Sequence, residues 1–387
     1  MLRQIQGRYV HCTTHNTPFD AYIPHPLPPN PPLNLDFLWD LVEQANRALG
    51  RLDGLGRQLP EINLLIYMYV RKEAVLSSQI EGTQSSLSDL LLYENVEAPG
   101  VTLEDVREVS GYVRALEWGW RRIQSDGMPL SLRLIREVHA ELLATGRGSQ
   151  SRPGEFRTNQ NWIGGSEPAR AIYVPPPPEE LGMCLYNLEA FLNDLPARTP
   201  TLMKAALAHV QFESIHPFLD GNGRLGRLLI TLILCAEKAL MSPILYLSLY
   251  FKQHRAQYYE LLQQVRLEGD WEAWLEFFLR GTIATADLAI SAADRTIELL
   301  TGDRQTIGTW GRIAGSALQV HLALSQKPIC TIEDLSDRVN LSRPTVSKTL
   351  ELLTQAGMLR ELTGRQRDRI FVYDRYLSIL NEGTEAL

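Results

Sequence analysis

His216-Pro217-Phe218-Leu219-Asp220-Gly221-Asn222-Gly223-Arg224-Leu225-Gly226-Arg227 separates two runs of helical periodicity, one over Leu202 to Ile215 and one over Leu225 to about Leu240. Pro217 ends the first helix, and the glycines allow a tight loop whose backbone can come close to a ligand. The second helix then offers unpaired amides at its N-terminus, which with the helix dipole make a phosphate site. Asn222, Arg224 and Arg227 add side-chain donors, the arginines able to grip phosphate in a bidentate fork. A carboxylate inside such a nest, Asp220, would be repelled by phosphate unless a cation lay between them. Mg2+ suits that place, because it takes one or two carboxylates and completes its shell with substrate phosphates and water. His216, at the mouth of the loop, is the candidate general base, with an ordinary pKa of about 6.5. Together these residues predict an activated nucleophile attacking a clamped phosphate.

Other phosphate chemistries lack their parts. The chain has no Gly-Lys-Ser/Thr phosphate loop and no kinase catalytic loop. His139 with Glu141 and His209 with Glu213 do not have the H-E-x-x-H spacing of a zinc helix, so they are expected as packed or surface residues.

Working outward, most segments from Leu33 to Leu300 carry helical periodicity, as in Leu64, Leu65, Met68, Lys72 and Val75, or Leu202, Ala205, Ala206, Ala208 and Phe212. Pro153 to Pro178 interrupts them with glycine, asparagine and proline around β-prone pieces at Phe156, Trp162-Ile163 and Ile172-Tyr173-Val174. A hairpin-like flap is predicted there. Pro24, Pro26, Pro28, Pro29, Pro31 and Pro32 fix φ and lack amide donors, which predicts an extended arm on the surface. Beyond Arg280 the helices turn alanine-rich, and a different unit begins near Gly308 to Gly315. There Thr331 opens a short helix, Ser342 caps a second at Arg343-Pro344-Thr345, and Met358 to Arg360 and Arg369 to Tyr373 alternate as strands around Gly364 to Arg367. Helix, turn, helix and wing predict a winged helix-turn-helix. Arg343, Thr345, Lys348, Arg365, Arg367 and Arg369 are its candidate DNA contacts, diluted by Asp334, Asp337 and Glu351, and docking to protein stays equally open.

The 387 residues, 44% hydrophobic and 21% charged, suffice for two or three globular domains. A net charge of −7 excludes a protein built mainly to coat nucleic acid, so any DNA contact is local. Cys12, Cys184, Cys235 and Cys330 form no C-x-x-C pair, which speaks against a disulfide framework and against zinc. Met1 to Ile5 lack an apolar signal core, and Leu225 to Leu234 is too short to cross a bilayer. A cytoplasmic protein with no membrane partner is expected.

The loop matches, at every fixed position, the Fic family signature H-P-F-x-D/E-G-N-G-R-x-x-R, and the chain is identified as resembling that family. The resemblance implies an all-α Fic core with a short β-hairpin flap, and transfer of AMP from ATP, with Mg2+, to a Ser, Thr or Tyr hydroxyl of a protein, the chain itself included. Carried over, His216 is the base, Asp220 the metal ligand and Phe218 a buried anchor. Gly221, Asn222, Gly223, Arg224, Leu225, Gly226 and Arg227 form the ATP-binding stretch, and Tyr258, with Tyr259 beside it, falls where such proteins surround the adenine. Pro153-Gly154-Glu155-Phe156-Arg157, Asn161-Trp162-Ile163-Gly164-Gly165 and Tyr173-Val174-Pro175-Pro176 resemble the family's flap, which holds a target as an added strand, here through Trp162, Ile163, Tyr173 and Val174. Ser77-Ser78-Gln79-Ile80-Glu81-Gly82 resembles the family's inhibitory Ser/Thr-x-x-x-Glu-Gly/Asn motif, in which the glutamate pairs with the second signature arginine, here Arg227.

The resulting division is an N-terminal arm and helical region with the inhibitory helix over 1–110, the catalytic core over 111–280, a helical linker over 281–314, and the winged helix over 315–387. Three alternatives stay open: a DNA-bound regulator whose Fic domain is a sensor, an enzyme removing AMP, and one using another nucleotide. A homodimer also stays open.

Overall fold

The computed structural model describes residues 3–14, 17–58, 62–94, 103–365 and 368–385. The polypeptide opens with an antiparallel hairpin, β1 (Gly7–Thr14) and β2 (Thr17–Pro24). Five helices follow: α1 (Trp39–Gln58), α2 (Ile62–Ile80), α3 (Leu87–Tyr93), α4 (Leu103–Gln124) and α5 (Leu132–Leu142). Beyond the flap come α6 (Pro178–Leu192), α7 (Thr201–Ile215), α8 (Asn222–Ala236), α9 (Ser248–Gln253), α10 (Arg255–Glu268) and the long α11 (Trp271–Gly308). The C-terminal unit consists of α12 (Ala314–Gln326), β3 (Ile329–Thr331), α13 (Ile332–Val339), α14 (Arg343–Gln355), β4 (Arg360–Glu361), β5 (Ile370–Val372) and α15 (Asp374–Asn381). The chain is thus mostly helical and ends in a winged helix-turn-helix.

α7 lies at the centre because it has no polar face to give to water. Every residue from Leu202 to Ile215 is buried, and α8 is buried along nearly its whole length against it. Around this pair, α4 and α5 pack together and onto α8, while α2 packs on α4 and α9. Local capping fixes several starts: Ser86 and Asp89 form a capping box on α3, and Ser131 caps α5.

The second loop helix starts at Asn222, three residues before the expected Leu225, and stops at Ala236 rather than near Leu240, so the second half of the loop motif is helical. The N-terminal hairpin is an addition to the sequence reading. Its strand β2 gains a further partner, since Tyr22 N donates to Val174 O of the flap at 2.9 Å. The proline segment after it is tied down by Arg3, whose guanidinium donates to Pro31 O at 2.9 Å and Pro32 O at 2.8 Å while pairing with Glu272. The flap itself is mostly loop, closed by a single bridge between Ile163 and Tyr173. α11 runs unbroken from the core past residue 281 to the C-terminal unit, because its buried residues recur along the whole length, from Trp274 and Phe278 to Ala293, Leu300 and Ile307.

In the C-terminal unit Thr331 caps α13, and Ser342, followed by Pro344, caps α14. The three strands order as β3-β5-β4, with β4 only two residues long. α15 then folds back onto α2, α3 and α11.

Candidate active site

α7 ends at His216, which adopts the left-handed conformation (φ 49°, ψ 60°) and donates its own amide to Phe212 O at 2.9 Å. Three side chains then hold the loop. Arg157 Nε donates to His216 O at 2.9 Å, and Asn161 Nδ2 donates to Phe218 O at 2.9 Å. Asn222 spans the turn, accepting from Phe218 N at 2.9 Å and donating to Phe218 O at 2.8 Å. Phe218 is fully buried, stacked on His139 with 3.7 Å between ring centroids. His139 accepts from Gly154 N at 2.9 Å through Nδ1, which places its proton on Nε2 for the bond to Asp220 O at 3.0 Å. Burial and the Arg224 charge push its pKa down to about 4, consistent with a neutral ring.

The loop borders a cavity of about 140 Å3 lined by Glu81, Glu108, Arg147, His216, Leu219, Asp220 and Gly221 to Arg224. His216 is half-buried there. Burial and the Arg157 charge push its pKa down to about 4, against a smaller opposing effect of Glu81, so the imidazole is unprotonated at neutral pH. Asp220 Oδ1 accepts from Gly221 N at 2.6 Å, and Oδ2 lies where a Cβ on Gly148 (φ 85°) would come within 2.6 Å, so only glycine leaves that carboxylate its space. Among the described residues no cluster of three or more His, Cys, Asp and Glu could enclose a metal. Asp220, a part-exposed carboxylate on this phosphate-sized cavity, still fits Mg2+, whose other ligands are phosphate oxygens and water.

Across the cavity, Arg227 is fully enclosed. Its Nε donates to Ser77 Oγ at 2.9 Å, and its Nη2 donates to Ser77 O at 2.9 Å and to Glu81 Oε1 at 2.7 Å. Burial acts to raise the Glu81 pKa, but Arg227, helped by Arg224 and His216, outweighs it and holds the carboxyl below its ordinary value. Glu81 Oε1 also sits in the space that a Cβ on Gly223 would take, over the second residue of α8. An anion therefore already occupies the N-terminal end of that helix.

Comparison with known proteins agrees with this geometry. Residues 39–121 match the Fic/DOC family N-terminal model, residues 129–234 the Fic/DOC family model, and residues 316–360 a winged helix-turn-helix DNA-binding model. The chain carries the domains of the Fic/DOC family. It is 32% identical over 216 residues to the protein adenylyltransferase Fic of Aedes aegypti, an alignment covering 55% of this chain and 40% of that one. To the Drosophila grimshawi protein of the same name it is 30% identical over 249 residues, covering 64% and 48%. The chain thus spans less than half the length of the curated relatives it matches. A Fic family protein from Desulfovibrio desulfuricans G20 shares the fold, with a TM-score of 0.59 at 21% identity over 89% of this chain and 98% of that one.

Within the Fic domain several residues stand elsewhere than the sequence suggested. Asn222 spends its amide on Phe218 and shapes the loop instead of facing the cavity with a free donor. Leu225 points into the core, and Gly226 lets α8 approach α7 so closely that a Cβ would meet the Glu213 carboxyl. Tyr258 is 1% exposed, stacked on Phe251 and 2.8 Å from His209 Nε2, so its ring has no face open to a base; the neighbouring Tyr259 is 42% exposed. In the flap, Trp162 and Ile163 are exposed, whereas Tyr173 and Val174 point inward. The Tyr173 hydroxyl donates to Ser214 O at 2.5 Å. His139 and His209 are both packed.

Four participants were given no role at the loop by the sequence reading. Glu108 lies 3.0 Å from Arg224 and Arg147 lines the cavity, while Arg157 and Asn161 brace the loop. Arg157 and Asn161 were visible as members of the flap motif. Glu108 and Arg147 carry no local signal, since only the packing of α4 and of the turn after α5 brings them in.

Proposed function

We propose that this chain transfers AMP from Mg-ATP to a hydroxyl of a protein, and that Glu81 restrains the reaction. The observation that carries the reading is that the half-buried His216 and the N-terminus of α8 at Asn222 to Arg224 line one cavity. The triphosphate lies along Gly221 to Arg224, with Arg224 and Arg227 as its cationic grips. Asp220 would hold Mg2+, which supplies charge neutralisation between the phosphates when bound. His216 takes the proton of the acceptor hydroxyl as its oxygen bonds to the α-phosphorus. The bond from that phosphorus to the oxygen bridging to the β-phosphate breaks, and pyrophosphate leaves with the electron pair.

With Glu81 on Arg227 and over Gly223, the end of the cradle is filled by a carboxylate. The cavity of about 140 Å3 is then small for a nucleotide, since ligand clefts usually span roughly 300–1,000 Å3. The exposed edge of the flap at Trp162 and Ile163 is the place for an extended target segment. A larger cavity of about 870 Å3 lies between the N-terminal hairpin and the flap; none of residues 216–227 lines it, so it is no part of the nucleotide site. Buried, unpaired thiols at Cys184, Cys235 and Cys330 fit a reducing, cytoplasmic setting.

The test is intact-mass and peptide-level mass spectrometry of the Glu81→Gly variant and added proteins after incubation with Mg-ATP. Addition of one AMP to a Ser, Thr or Tyr, with matching pyrophosphate release, is expected. Nucleotide turnover without any protein adduct would overturn protein as the acceptor.

A further inference from the structure

Two residues before Glu81, the side chain of Gln79 is buried, and its Nε2 donates to two carbonyls, Ser85 O at 3.0 Å and Thr384 O at 2.8 Å. The second acceptor belongs to the segment that follows α15, at the far end of the winged-helix unit. That segment is fixed from several sides. Asn381 Nδ2 donates to Ser88 Oγ of α3 at 2.9 Å, and Arg295 of α11 grips both Glu382 oxygens at 2.7 and 2.6 Å. Lys252 of α9 donates to Gly383 O at 3.2 Å and also to Glu385 O. Leu249 fills the space beside Gly383 (φ 81°), where a Cβ would come within 2.6 Å, so the turn lies flat on α9.

The other end of the link is mechanically weak by itself. α2 stops at Ile80, Gly82 takes φ 99°, and the Glu81 side chain is 36% exposed with Arg227 as its ion-pair partner. Helix ends fray unless neighbours hold them. Here Arg227 holds Ser77 and Glu81 from the side of the cavity, and the Gln79 amide with the carbonyls it satisfies holds the same turn from the other side; displacing Gln79 would leave buried acceptors without their donor.

We propose that Gln79 is a positioning residue: through Thr384 it ties the end of α2 to the C-terminal segment, so the winged-helix unit sets how firmly Glu81 is held on Arg227. The inference rests on the restraining role of Glu81 given above. It requires neither contact of the C-terminal segment with nucleotide nor any use of the α14 face. A movement of α15 loosens the last turn of α2, Glu81 leaves Arg227 more often, and the triphosphate gains its second arginine.

The test uses the full chain with Arg295→Ala and Asn381→Ala combined, which free the segment, substitute no residue of α2 and lie at exposed or half-buried positions. A melting curve confirms that the fold is kept, and Gln79→Ala provides the second variant. Hydrogen exchange of the amides from 78 to 84 is expected to quicken by about tenfold, since local opening governs it. Transfer from labelled ATP should rise severalfold in the chain that has Glu81 and stay unchanged in the Glu81→Gly background. Wild-type exchange in both variants, or an equal change of rate in both backgrounds, overturns the proposal. Should Glu81→Gly itself fail to transfer, the reading of Glu81 falls, while the exchange measurement still decides whether the C-terminal segment holds α2.

Discussion

His216 shows how position changes a residue's chemistry. Free histidine titrates at about 6.5, but burial and the Arg157 charge lower this one to about 4, so its ring stays unprotonated until pH falls through that lower value. In the Glu81→Gly variant, which lacks the carboxylate that partly raises His216, kcat/KM for transfer should therefore show no acid limb between about pH 5 and 8 at saturating Mg2+. A half-maximal rate near 6.5 would mean that the base is solvated as in a free peptide. Tyr258 gives a second residue-scale test. Its hydroxyl lies 2.8 Å from His209 Nε2 inside the aromatic packing of Phe251 and Trp274. Tyr258→Phe should cost roughly 1–3 kcal/mol of stability by leaving that nitrogen unpaired, with ATP affinity unchanged by calorimetry. A large loss of affinity at unchanged stability would return Tyr258 to the adenine.

At the level of elements, what could be read ahead depended on whether neighbours in space were neighbours in sequence. The loop from His216 to Arg227 was legible because its glycines, its proline and its charges are consecutive, and α13 and α14 were legible because Thr331 and Ser342-Pro344 mark their starts. The early start of α8 at Asn222 was hidden, since the amide of that residue is bound to Phe218 across the turn. Tyr258 and Tyr259 are adjacent on α10, and only the packing of α7 and α11 decides which of them turns inward. The inward set of Tyr173 and Val174 was equally hidden, because β2, which binds Val174, lies far away in the chain. On α14 and the wing, Arg343 is paired with Glu333, and Arg369 lies 3.4 Å from Glu351 and donates to Ser347 at 3.1 Å. Arg367 lies outside the described residues, whereas Lys348 and Arg365 are exposed. If α14 enters a DNA groove, Lys348→Glu with Arg365→Glu should weaken duplex binding and flatten its salt dependence by about two phosphate contacts, with AMP transfer unaffected. Absence of duplex binding by the intact chain at low salt would make the unit a protein-docking module.

The whole molecule joins three parts around one buried arginine. The Fic loop supplies Arg227, α2 and the residue just past its end supply the Ser77 and Glu81 that occupy it, and the winged-helix unit reaches the same helix end through Thr384. Arg3 fastens the proline segment to α11 and strand β2 bonds to the flap, so the N-terminal residues brace the body that carries the flap. If Glu81 restrains transfer as proposed, the chain is at rest while its own carboxylate fills the cradle and active once that carboxylate leaves. The decisive experiment is the initial rate of protein labelling from ATP carrying label at the α-phosphate, at saturating Mg2+, in wild type, Glu81→Gly, and Glu81→Gly with His216→Ala. Wild type should stay near background and Glu81→Gly should rise by at least about tenfold, equivalent to ~1.4 kcal/mol. Adding His216→Ala should take away about 100- to 10,000-fold of that rate while ATP still binds. Equal rates in wild type and Glu81→Gly would contradict the restraining role of Glu81, and full labelling by the His216→Ala chain would contradict the transfer chemistry itself.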